Sequence, residues 1–256
     1  MASLVASDLL IDRQFMRHVA ASLGETMTDI ITGISSMATR QLLAELVSRY
    51  RTATGRTVSI EATGGVDAAK RVRAGEAFDL IVLADDVIVK LATEGHVVAG
   101  SSAALVRSPM ALAVPAGKPR PDIGSADALR AALMRAPSIG YSTGPSGTHL
   151  LTVLKSWGFD PAAESGRLVQ AKPGIPVASL VARGDAAIGI QQLSELRGEP
   201  GIDIVGLLPS PVQSVTTFSI GIGAQSMHAA EAKAVVTFLN TPETVETKRQ
   251  FGMEPA

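Results

Sequence analysis

Asp79-Leu80-Ile81-Val82-Leu83-Ala84 places five apolar residues behind one acidic one. A short run without polar alternation predicts a strand buried on both faces, the kind found in parallel sheets covered by helices. The flanking sequence agrees. Upstream, Ile30–Ile34 and Thr57–Thr63 read as strands, and between them Met37, Leu42, Leu43, Leu46, Val47 and Tyr50 recur at helical spacing. A second helix is predicted after Gly64-Gly65, with Val66, Ala69 and Val72 inward, Lys70, Arg71 and Arg73 outward, and Gly75 as its C-cap. Downstream, a third helix is predicted from about Asp86 to Thr93, its start capped by Asp85-Asp86. Strands alternating with helices in this way define βαβ units on a mostly parallel sheet.

The middle of the chain changes character. Leu105–Val106 and Met110–Val114 read as two extended runs separated by Arg107-Ser108-Pro109, and the proline-rich stretch Pro115–Pro121 follows. This pattern predicts a crossing from one domain to another. A second βα series comes next: helix around Ser125–Met134, strand Ser138–Tyr141, helix Ser146–Trp157, strand Leu168–Ala171, helix Ile175–Ala182 and strand Ala186–Ile190. Ser214–Ile222 then reads as a long extended return to a C-terminal amphipathic helix carrying Ala230, Ala234, Val235, Phe238 and Leu239. Two crossings predict a discontinuous first lobe, residues 27–109 plus 219–256, and a second lobe over 110–218. The expected fold class is α/β, two lobes of mostly parallel sheet flanked by helices and joined by two hinge crossings.

Composition narrows the function. The 256 residues carry 23 Lys+Arg against 24 Asp+Glu, which provides no basic field for nucleic acid. The chain has no cysteine, so it has no thiolate nucleophile, disulfide or Cys-based zinc site. No window approaches the roughly 18 apolar residues of a membrane span, and no direct membrane insertion is expected. Asp8, Asp12, Arg13 and Arg17 break up the apolar residues near the N-terminus, against the plan of a secretory signal. Met27 directly precedes the first strand. The reading therefore predicts residues 1–26 as an arm belonging to neither lobe and a cytoplasmic protein, or a periplasmic one if the true start lies elsewhere.

Ligands of doubly wound folds bind beyond the carboxyl ends of the strands, so the strand-to-helix junctions decide the site. Four stand out: Gly33-Ile34-Ser35-Ser36, Thr63-Gly64-Gly65, the run from Tyr141 through Ser142, Thr143, Gly144, Pro145, Ser146, Gly147 and Thr148 to His149, and Gly189-Ile190-Gln191-Gln192. All but the His149 end of the third are neutral, small and rich in hydroxyl, amide or backbone N–H donors, a means of holding a compact anion at helix N-termini without a counter-charge. Each hydrogen bond to a charged group contributes about 1.5–3 kcal/mol, so four or five support the roughly −8 kcal/mol of a micromolar binder. Sharper motifs are absent. Gly144-Pro145-Ser146-Gly147 has no following lysine and is not a P-loop, and no G-x-G-x-x-G appears. His18, His96, His149 and His228 are too scattered to suggest a metal site, and no cofactor is called for.

These junctions, with the run Arg73–Ala84, resemble the periplasmic molybdate-binding proteins of ABC importers, type II solute-binding proteins whose two lobes close over an anion. The resemblance covers roughly residues 28–250. It implies that Ser35 or Ser36 supplies the first-lobe hydroxyl, that backbone donors lie near Ser146-Gly147 and near Gly174-Ile175, and that the partner is a small anionic ligand, with an ABC importer membrane component if the protein is exported. Two departures stand out: Thr63-Gly64-Gly65 replaces a serine-rich turn, and Gln191 or Gln192 replaces a tyrosine. An amide suits a carboxylate or hydroxyl better than tetrahedral molybdate. The family also includes aconitate isomerase, which moves a proton and a double bond within a tricarboxylic acid. Under that alternative a base and an acid are required, with His149 the first choice and Asp67 the second, and Arg107 is positioned to pair with a substrate carboxylate. The ligand set expected is therefore Ser35, Ser36, Thr63, Gly64, Gly65, Arg107, Ser142, Thr143, Ser146, Gly147, Thr148, Ile175, Gln191 and Gln192.

Overall fold

The computed structural model describes residues 30–256 apart from Pro161, and the arm expected over 1–26 lies outside them. The apolar run at 80–84 is strand β3 (Leu80–Ala84), every residue of it buried. Its alternate side chains serve two cores. Leu80, Val82 and Ala84 join one cluster with Leu42, Leu43, Leu46 and Tyr50 of helix α1 (Arg40–Thr54) and with Ala232, Val235 and Leu239 of the C-terminal helix Ala229–Leu239. Ile81 and Leu83 join a second with Ala68, Ala69 and Val72 of α2 (Gly65–Arg73) and Ile88 and Leu91 of α3 (Asp85–Thr93). At about 1.5–3 kcal/mol for each large side chain fully buried, a strand covered on both faces anchors the lobe. It pairs in parallel with β1 (Ile31–Ser36), which in turn pairs in parallel with β2 (Val58–Thr63).

Between the lobes the two expected runs around Arg107-Ser108-Pro109 are one strand, β4 (Ala103–Pro115). Its first half pairs with the returning strand Val215–Ile222, and its second half, from Met110, pairs with strands of the other lobe. Pro109 sits where the partners change. That is why a residue without a ladder N–H is tolerated in mid-strand.

The second lobe builds on the far half of β4, followed by α4 (Ala126–Arg135), β5 (Ile139–Tyr141), α5 (Pro145–Ser156), β6 (Leu168–Gln170), α6 (Val177–Ala182), β7 (Ile188–Gln192), α7 (Leu193–Leu196) and β8 (Ile202–Leu207). Strand β8, antiparallel to β4, has no counterpart in the sequence reading. The return is β9 (Val215–Ile222), paired with β3 and β4 along its length. It therefore joins the first-lobe sheet from Val215 onward rather than from residue 219. Helices α8 (Ala229–Leu239) and α9 (Val245–Gln250) and the short strand β10 (Glu254–Pro255) complete the chain. The strand order β2-β1-β3-β9-β4-β7-β5-β6 makes β4 and β9 the hinge between lobes. In the second lobe α6 lies close on the sheet because Gly140 and Gly189 carry no side chain: a Cβ at either would press against Val177, and at Gly189 also against Val181.

Candidate functional site

A cleft of about 720 Å³ lies between the lobes, beyond the carboxyl ends of β1, β3, β5 and β7, within the size range of small-molecule sites. Ser36 ends β1 at its wall. The Ser36 side chain is buried and its Oγ has no hydrogen-bond partner. Ser35 does not reach the cleft. Its side chain alternates to the other face of the strand, is fully buried, and its Oγ donates to the Glu61 carbonyl at 3.4 Å. Gly64 and Gly65 line the cleft where α2 begins, without a side-chain cap. Thr63, in register with Ser36, does not line it.

The donor-rich junction of the second lobe folds around Ser142. Its Oγ accepts the Gly144 N–H at 3.2 Å and shares a hydrogen bond with Ser146 Oγ at 3.0 Å, closing the turn ahead of α5. Ser142, Thr143, Ser146, Thr148 and His149 all line the cleft. Gly147, expected as a backbone donor, instead lies behind the turn: its N–H donates to the Gly144 carbonyl at 3.1 Å, and a Cβ there would overlap the Ser142 carbonyl, so glycine is required for packing and does not line the cleft. His149 Nε2 is 3.0 Å from the Val212 carbonyl. A carbonyl can only accept, so Nε2 carries a proton, and Nδ1 is the ring nitrogen left to exchange one.

Ile175 also lines the cleft, and β7 ends there in two buried amides. Gln191 Oε1 accepts the Val177 N–H at 2.7 Å while its Nε2 donates to Glu195 at 2.6 Å. Gln192 Nε2 donates to Thr216 Oγ1 of β9 at 2.7 Å, and its Oε1 has no partner. With the amide turned over, Thr216 donates and the NH₂ is the free end. In either orientation one amide terminus is left for a ligand.

Two further expected residues fall outside the cleft. Asp67 does not line it and lies 3.7 Å from Lys70, an exposed pair one turn apart. Arg107 has an exposed side chain on the hinge strand, in register with Glu254 of β10. No residue of β4 lines the cleft among the described residues.

Lys70, Arg73, Lys90 and Lys172 line the cleft against the acids Asp86 and Glu195. Arg73 is engaged by Glu94 at 2.6 Å, whereas Lys90 and Lys172 form no ion pair among the described residues. On α2, Ala69 and Val72 are buried as expected, but Val66 is 51% exposed and shares the cleft face with Lys70 and Arg73, one and two turns on. Nor does Asp85 cap α3. It is held by the Ser219 hydroxyl of β9. Glu195 was not singled out by sequence, because a lone glutamate after a strand carries no motif. Burial pushes its carboxyl up to about 8, against the lowering influence of nearby Arg40.

Two α/β lobes on a two-strand hinge, with polar strand ends and helix starts facing a cleft, define a type II periplasmic-binding-protein fold. Residues 31–254 match the family model for bacterial extracellular solute-binding proteins, and the chain belongs to that family. It is 33% identical over 234 residues to an aconitate isomerase from Pseudomonas sp., covering 88% of this chain and 87% of that one. Among solved structures it resembles the periplasmic molybdate-binding protein of Azotobacter vinelandii (TM-score 0.74, 18% identity, 88% and 99% of the two chains). It also resembles a tungstate ABC transporter structure from Geobacter sulfurreducens (TM-score 0.67, 17% identity, 87% and 98%). At these identities the structures speak to the fold. No helix among the described residues is long and apolar enough to cross a membrane.

Proposed function

We propose that this protein binds a small unsaturated tricarboxylate between its lobes and shifts its double bond by moving an allylic proton. The observation that carries the reading is one cleft holding both Lys90 and Lys172, which form no ion pair among the described residues, and the imidazole of His149, fixed through Nε2 on the Val212 carbonyl so that Nδ1 is left to exchange a proton. Cations suit a polyanion, and a positioned imidazole suits proton abstraction next to a carboxylate. The relative that is an aconitate isomerase supports the same chemistry.

In this reading Ser36 and Gln192 anchor carboxylate oxygens, and the lysines balance their charge. His149 Nδ1 takes a proton from the substrate methylene. The electron pair of that C–H bond becomes the new double bond, and the old π pair takes a proton at the former vinylic carbon from a general acid in the cleft, which loses the charge that His149 gains. Atoms and charge are conserved, and no cofactor enters the step. Closure about β4 and β9 would exclude water and strengthen each contact.

The test is incubation with trans- or cis-aconitate in D₂O, followed by NMR. Interconversion with deuterium at the exchanging carbon is expected, reduced about 100-fold or more in His149→Ala. Thermal stabilisation by aconitate with no exchange would replace this reading with that of a capture protein. Stabilisation by molybdate or tungstate alone would remove the carboxylate altogether.

A further inference from the structure

The proposed shift needs a proton donor as well as a base, and the second junction supplies one that the sequence did not flag. Gln191 is 2% exposed, and its amide is oriented unambiguously: Oε1 accepts the Val177 N–H at the start of α6, which turns Nε2 toward Glu195 Oε1, one turn on across the β7–α7 junction. With that oxygen engaged as an acceptor, the other carboxyl oxygen is left to carry a proton. Both side chains line the cleft with Ser36 and His149.

The geometry points to Glu195 as the acid that returns the proton to the substrate carbon, with Gln191 as its positioning residue. This assignment rests on the isomerase reading above. The surroundings fit a protonated carboxyl at neutral pH. The elements packed on α7 bring almost no charge: β7 and α6 carry no ionisable side chain, and β4 carries only Arg107, whose side chain is exposed at the hinge. The segment Met37–Thr39 carries none either, and Arg40 directly after it is the charge whose influence reaches Glu195. Burial outweighs Arg40 and raises the carboxyl to about 8. In the forward step Glu195 donates its proton as His149 accepts one. The cycle closes when the imidazolium proton returns to the carboxylate, and the reverse reaction uses the same two groups in exchanged roles.

The experiment is pH–rate and binding analysis of wild type, Glu195→Gln and Gln191→Glu with trans-aconitate. Glu195→Gln keeps an acceptor for Gln191 but cannot exchange a proton. It is expected to lose about 100-fold or more in turnover and deuterium incorporation, with Kd within about threefold of wild type, a split that a packing role would not produce. Wild-type kcat is expected to fall above about pH 8, and residual Glu195→Gln activity to lack that limb. Gln191→Glu keeps an acceptor for Val177 but sets a second carboxyl beside the first, and its alkaline limb is expected at higher pH. Near-wild-type turnover in Glu195→Gln, with active wild type, overturns the assignment of Glu195 alone. An unmoved limb in Gln191→Glu overturns the role of Gln191. Wild type that binds trans-aconitate without exchange overturns the isomerase reading and this one with it.

Discussion

Ser36 Oγ and Gln192 Oε1 are buried without a partner inside the protein, a condition that costs about 1–3 kcal/mol per group unless a ligand relieves it. Ser36→Ala should therefore weaken ligand binding about 10-fold or more, by isothermal titration, while leaving the ligand-free Tm unchanged or slightly raised. A lowered Tm with unchanged affinity would make Ser36 a structural residue. Gly147→Ala should do the opposite, destabilising the fold by about 1–3 kcal/mol in urea titrations because the new methyl overlaps the Ser142 carbonyl. Glu195 also links stability to pH. Its folded-state affinity for a proton exceeds that of an ordinary carboxyl, so the folded chain binds more protons between about pH 4.5 and 8, and stability falls as pH rises through that window. The corresponding decline should be missing in Glu195→Gln, measured by denaturation at several pH values. Ser36 and the two glutamines could be suspected from sequence because they end apolar runs. Glu195 could not, since its environment comes from Gln191, Val177 and Arg40, which only folding assembles.

At the scale of elements, helix α2 shows the limit of reading periodicity. Ala68, Ala69 and Val72 are buried, and the sequence correctly separated much of that face from Arg71, which pairs with Glu61 and Glu76 on the solvent side. Lys70 and Arg73 are exposed as well, but on a third side that lines the cleft. A lone helix pattern distinguishes two faces, and a cleft adds a third. The double variant Lys70→Gln/Lys90→Gln should bind a tricarboxylate more weakly and with a shallower dependence on salt, since exposed cleft cations act through screened electrostatics. Equal salt slopes for variant and wild type would place the binding energy in the neutral donors instead. Strand β4 carries a similar lesson. Arg107-Ser108-Pro109 looked like an interruption, yet the strand continues and changes partners there.

For the whole molecule, the lobes meet through β4, β9 and bonds such as Gln192 to Thr216. A hinge of two strands allows closure over a ligand that contacts both sides. Small-angle scattering should record a smaller radius of gyration with saturating tricarboxylate, and at 100 times Kd the ligand should add about 2.7 kcal/mol of stability. An unchanged radius would mean that the cleft binds without closing.

The apolar run at 80–84, the alternation of strand and helix on either side of it and the hydroxyl-rich turn at 142–148 were readable along the chain, since burial on two faces and chain reversal leave local marks in residue type. The cationic lining, the orphaned Ser36 hydroxyl, the partner change in mid-β4 and the Val177–Gln191–Glu195 relay were not. Each depends on groups far apart in sequence, or on opposite lobes, whose charge and desolvation act on one another only once the sheets have folded and faced each other across the cleft.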